Sequence, residues 1–151
     1  MNTKLFFLSL VFSLLVTTSV ATTKTGPAAF GQGEFTFNGE LISFSFEAHA
    51  NEKRHAHGRA VFDNLSTQTQ VTVRIDCMRV DGSGAVITGT VLHSDDPDFP
   101  KGTDVIFAPF DGQGGLHPDT MTPLFVSPFP DCNSAAPPLT FFVVDDIVVQ
   151  P

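Results

Sequence analysis

At 151 residues with 16 Phe but no Trp and no Tyr, the chain has ample apolar surface for a single core, but few rings with a polar handle for stacking on sugars. That composition argues against a lectin. Sixteen acidic against 8 basic residues, a net charge of −8 at pH 7, would repel phosphate backbones and anionic lipid surfaces, which argues against nucleic acid and charge-driven membrane contact as partners.

Residues 1–21 read as a signal peptide. Lys4 gives the positive start, Leu5-Phe6-Phe7-Leu8 through Leu14-Leu15-Val16 the apolar run, and Ser19-Val20-Ala21 the small-x-small cleavage pattern. Ser9 and Ser13 interrupt the run, which falls short of the roughly 20 apolar residues a membrane span needs. Cleavage there predicts a secreted protein, extracellular or periplasmic in a Gram-negative source. Loss of the 21 residues and of Lys4 leaves 130 residues and a net charge of −9.

Residues 22–32 have no apolar alternation and read as a flexible leader, so that a single β domain is expected over 33–151. Gly33 to Phe37 alternates, Asn38-Gly39 is a type I′ turn signal, and Glu40 to Ala50 alternates again with Ile42, Phe44, Phe46 and Ala48 on one face. This predicts a hairpin with Phe35 and Phe37 meeting Phe44 and Phe46 across the strands. Gly58 to Asp63 reads as a short strand. Thr69 to Val80 is the clearest one, with Val71, Val73, Ile75 and Cys77 assigned to one face by strict period-2 counting. After Asp81-Gly82-Ser83-Gly84, Ala85 to His93 returns as its partner, and Gly89 within it suggests a bulge or bend.

Thr103 to Asp111 is a further strand weakened at its end by Pro109. The Gly- and Pro-rich segment from Asp111 to Asn133 is too long for idle linkage, so a packed Ω-type loop or a functional loop is expected. Leu139 to Val149 reads as one strongly apolar strand that must be buried or paired. About seven to eight hairpin-connected strands without helical periodicity predict an all-β fold, a single antiparallel β-barrel or β-sandwich, with a closed barrel favoured because it removes exposed edges.

The runs Asp76-Cys77-Met78-Arg79-Val80-Asp81-Gly82, Ala85 to Gly89, and Val105-Ile106-Phe107 followed by Asp111-Gly112-Gln113-Gly114 resemble a D-C-x-x-V-x-G, A-x-x-x-G, F-x-x-x-D-x-G-x-G order. That order is shared by a loosely defined group of small secreted all-β proteins of unknown function. The resemblance implies a secreted β domain and no activity.

Cys77 and Cys132, the only cysteines, are expected to pair once exported, closing a 55-residue loop. Asp95, Asp96 and Asp98, with Asp104 nearby, form the densest carboxylate cluster. Together with Asp111 at its Gly-rich turn they are candidate calcium ligands, because that ion accepts irregular oxygen-bearing loops. No other cofactor is suggested. His55 and His57 share a face if extended, with His49 or His93 as possible neighbours, but no third ligand is supplied and Lys53-Arg54 beside them disfavours a cation. Asn64-Leu65-Ser66 is a glycosylation sequon in a eukaryotic source. No nucleophile motif is present, and the adjacent Asp145-Asp146 point to opposite faces of a strand, so no catalytic residue is assigned.

Two functions follow from these readings. The domain could present loops 94–102 and 111–133 to an extracellular partner without catalysis. Alternatively the Phe-rich barrel could carry a small apolar ligand, a reading favoured by a lined void of roughly 300 Å³ or more. An enzyme of unknown type ranks third.

Overall fold

The computed structural model describes residues 26–113, 116–129 and 131–151, so the expected signal peptide lies outside the described residues. Eleven strands and no helix are present among them: β1 (Ala28–Phe37), β2 (Glu40–Ala50), β3 (Ala56–Asn64), β4 (Thr69–Asp81), β5 (Gly84–Ser94), β6 (Asp104–Phe107), β7 (Pro109–Phe110), β8 (Thr120–Met121), β9 (Phe125–Val126), β10 (Phe141–Phe142) and β11 (Val144–Gln150). They form one antiparallel sheet, nearly closed into a barrel, in the order β10-β8-β7-β5-β4-β3-β2-β1-β11, with β6 against β5 and β9 against β6.

The strand number exceeds the expected seven to eight for a local reason. Ala108, whose N–H goes to the Thr122 hydroxyl and not to a neighbouring strand, separates β7 from β6, while β8, β9 and β10 are two-residue strands too short to show alternation. The leader also ends earlier than expected, because β1 begins at Ala28 and not after residue 32. Ala28 to Glu34 pairs on both sides, with β2 and with β11, and its inward positions Ala29, Gly31 and Gly33 are too small to mark an apolar alternation. Gly31 lies opposite Phe46, and a Cβ on it would come within 3.1 Å of that ring.

The β1–β2 hairpin forms as its turn chemistry demands. Asn38 and Gly39 have φ of 51° and 82°, the left-handed pair of a type I′ turn. Phe35 and Phe44 meet with ring centroids 6.0 Å apart, and Phe44 and Phe46 at 6.1 Å. Phe107 from β6 then fills the middle of the barrel, edge-on to Phe46 at 5.6 Å and to Phe62 at 5.3 Å. The centre is packed solid with rings.

The β4–β5 ladder shifts register twice, first where Leu92 of β5 is left unpaired between Thr72 and Val73, and again within β4, where the faces turn over. The register against β5 shifts between Ile75 and Cys77, opposite Gly89 and Thr88, so the bulge expected from Gly89 is present but carried by the partner strand. A Cβ at Gly89 would lie 2.1 Å from the Arg74 carbonyl oxygen, which is why a glycine stands there. The consequence corrects the expected face of Cys77. Val71, Val73 and Ile75 point inward, Met78 takes over the core position with 1% exposure, and Cys77 turns outward.

Outside the barrel, Cys77 is bonded to Cys132 with Cα atoms 5.6 Å apart, as expected from the two-cysteine count. Cys132 packs with Val86 and Ile106 as a second, smaller apolar cluster joined by Phe125 and Ala136. Arg79 secures the same segment by donating to the carbonyls of Asn133 (2.9 Å) and Ser134 (3.1 Å). The long loop is therefore a cover laid over the outer face of β5 and β6.

Candidate functional site at the barrel mouth

One end of the barrel remains unfilled. The β1–β2 hairpin brings Phe35, Phe37 and Ile42 there, and β3 and β4 bring Phe62 and Val71. Phe99 and Leu124 close the sides, and together these apolar groups line a cavity of about 330 Å³. Pro123 and Thr69 complete the wall, and the rim is polar: Asn38, Glu40, Asn64, Asp96 and Asp98. Three carboxylates but no His, Lys or Arg are among its lining residues. Larger depressions are shallower: one of about 730 Å³ lies on the outer face of the sheet beside Phe30, His49 and Val148, and one of about 420 Å³ at the opposite end is lined largely by polar and charged residues such as Asn51, Glu52, Arg54, Arg79 and Asp81.

The rim is held by hydrogen bonds within its own loops. Asn64 donates through Nδ2 to Glu40 Oε2 at 2.6 Å, while its Oδ1 accepts from the backbone of Ser66 and Thr67 at 3.1 Å. The sequon asparagine is thus folded into the turn that shapes the mouth. On the opposite side, Asp95 N–H donates to the Gln70 carbonyl (3.0 Å), Ser94 and Asp96 cap each other, and Asp98 N–H donates to Asp96 Oδ1 (2.9 Å). These bonds fold the 95–99 segment back so that Phe99 reaches the core cluster. The Asp98 carboxylate itself accepts no hydrogen bond from the described residues and faces solvent.

The expected calcium set is not brought together. Asp95, Asp96 and Asp98 follow the C-terminal end of β5, whereas Asp111 donates its N–H to the Ser83 carbonyl at the N-terminal end. Eleven strand residues separate them, about 36 Å of strand at some 3.3 Å per residue, too far for one ion. Among the described residues no three His, Cys, Asp or Glu gather to hold a metal ion. Asp104 lies on β6, paired with Thr90.

Asp111 serves the fold instead, with a partner that the sequence reading missed. Its Oδ1 accepts from Gln113 N–H at 2.6 Å and its Oδ2 from Val149 N–H on β11 at 3.3 Å. Asp119 does the same with Gly112 N–H (2.7 Å) and Ile147 N–H (2.6 Å). Two carboxylates thus take the place of a missing strand ladder between β11 and the 111–119 segment. Asp119 is the only acidic residue between Asp111 and Asp131, the one sequence signal that could have singled it out.

The histidines are dispersed. His49 and His57 stack across β2 and β3 with centroids 5.6 Å apart, His49 also contacting Glu47 at 2.9 Å, while His55 forms a lone bridge to Cys77 and His93 lies 3.5 Å from Asp95. Beside the bulge, Arg74 donates to Asp76 at 2.7 Å, and that hydrogen bond, with the attraction between the charges, raises the guanidinium pKa above its ordinary value. Asp145 and Asp146 lie on β11 opposite Gly33 and Gln32, away from the mouth lining. No helix among the described residues is long and apolar enough to cross a membrane. Comparison with protein-family models, curated proteins and solved structures gives no match.

Proposed function

We propose that this is a secreted binding protein that holds a small apolar ligand in the mouth of its barrel. The observation that carries this reading is the cavity of about 330 Å³, apolar in its depth and polar only at its rim. Ligand pockets fall at roughly 300–1,000 Å³ and combine an apolar lining with a few placed polar groups. The Phe107 ring cluster fills the barrel below it, so the ligand is held at one end and does not pass through. Secretion is supported by the N-terminal apolar pattern and by the Cys77–Cys132 bond. The 111–133 segment, considered above for display to a partner, is largely taken up by barrel closure and by the disulfide-pinned cover.

Titration with Nile red, a neutral dye bright in apolar surroundings, is expected to saturate at one molecule per chain. Val71→Trp should fill the cavity and abolish the signal while circular dichroism keeps its β character. A signal of equal size in that variant would overturn the mouth as the site.

A further inference from the structure

We infer that the mouth selects ligands carrying a cationic head on an apolar body and turns away those ending in a carboxylate. The inference rests on the mouth being a ligand site and adds which chemistry it prefers. Glu40, Asp96 and Asp98 stand at the rim above the Phe and Leu side chains of the floor. Glu40 and Asp96 are half-buried, so their charges are screened less than those of fully exposed groups. No basic group among the lining residues offsets them.

Of the six basic side chains among the described residues, only Lys101, exposed in the same loop as Asp96 and Asp98 but outside the cavity lining, is near this end of the barrel. Lys53, Arg54 and Arg79 belong to the opposite end, with Lys53 and Arg54 in the β2–β3 connection and Arg79 near the β4–β5 turn. Arg59 and Arg74 form a cross-strand pair on β3 and β4, and Arg74 is already engaged by Asp76. A ligand seated with its apolar body among Phe37, Phe62 and Leu124 brings its head to the level of the carboxylates. An ammonium there gains attraction and can donate to the free Asp98 oxygens. A fatty-acid carboxylate meets like charge from all three ionisable groups of the lining.

The experiment compares octylamine, octanol and octanoate by isothermal titration calorimetry at neutral pH and low salt, with the purified protein. The three probes share one chain and differ only in the head. Octylamine is expected to bind about fivefold more tightly than octanol, with octanoate weakest, and added salt should shrink the gap. In the Glu40→Gln, Asp96→Asn, Asp98→Asn triple variant the amine-to-alcohol ratio should fall to about one. Asp98→Asn alone, at an exposed position without hydrogen bonds to its carboxylate, should lower the ratio even if the triple variant does not fold. Equal binding of amine and alcohol by the unaltered protein would overturn the head-group preference and leave the apolar site standing. Failure of all three probes together with Nile red would overturn both.

Discussion

Asp119 joins two parts of the chain that no backbone ladder joins. Its two oxygens accept from Gly112 and Ile147, and hydrogen bonds to a charged acceptor are stronger than neutral ones. Asparagine offers one amide oxygen and one amide nitrogen, so one of the two backbone donors would face another donor. Asp119→Asn should therefore lower stability by about 1–3 kcal/mol. Urea unfolding would read this as a lower midpoint with an unchanged slope; an unshifted midpoint would remove the clasp from this account. The neighbouring Asp111 shows what a single residue reveals in sequence. Its place in a Gly-rich turn marked it as a candidate calcium ligand, whereas its two oxygens accept from backbone N–H groups. One of these is Val149 N–H, 38 residues away, a contact that only barrel closure creates.

At the scale of the strand, alternation located β2, β3, β4 and β5 because each has one face in the core, and the period-2 pattern survives wherever that holds. It misplaced Cys77 because an extra residue in β4 reverses the faces beyond it. The reversal leaves a trace in the chain: Val71, Val73 and Ile75 occupy one parity, Met78 and Val80 the other. With Cys77 outside, the disulfide holds the cover and not the core. Cys77→Ser releases a 55-residue loop, about 4 kcal/mol in the chain-entropy model, and frees the small cluster around Val86 and Ile106. Its melting temperature under non-reducing conditions should drop. Hydrogen exchange should then quicken first at Val86 and Ile106 while β1 to β3 stay protected. A melting curve identical to that of the unaltered protein would contradict this assignment.

The whole barrel depends on its last strand, because β11 is where the two ends of the sheet meet. Along one edge it pairs with Ala28 to Glu34 of β1, and along the other it gives Ile147 and Val149 N–H to the two aspartates. Ile147 and Val149 are also buried in the core. Removing residues 144–151 would strip these apolar side chains, leave the Asp111 and Asp119 carboxylates without their β11 donors, and expose the long β1 edge to pairing with other chains. The cost is shared by the whole closed sheet, since β1 to β5 form a chain of neighbours whose curvature is held by that seam. The truncated protein is expected to lose its cooperative melt and to aggregate, as read by calorimetry and light scattering. A synthetic peptide of the sequence Val144 to Pro151, added during refolding, should restore the melt by taking the vacant strand position. A truncated chain that stays soluble and melts at the unaltered temperature would show that the barrel holds its shape without the seam.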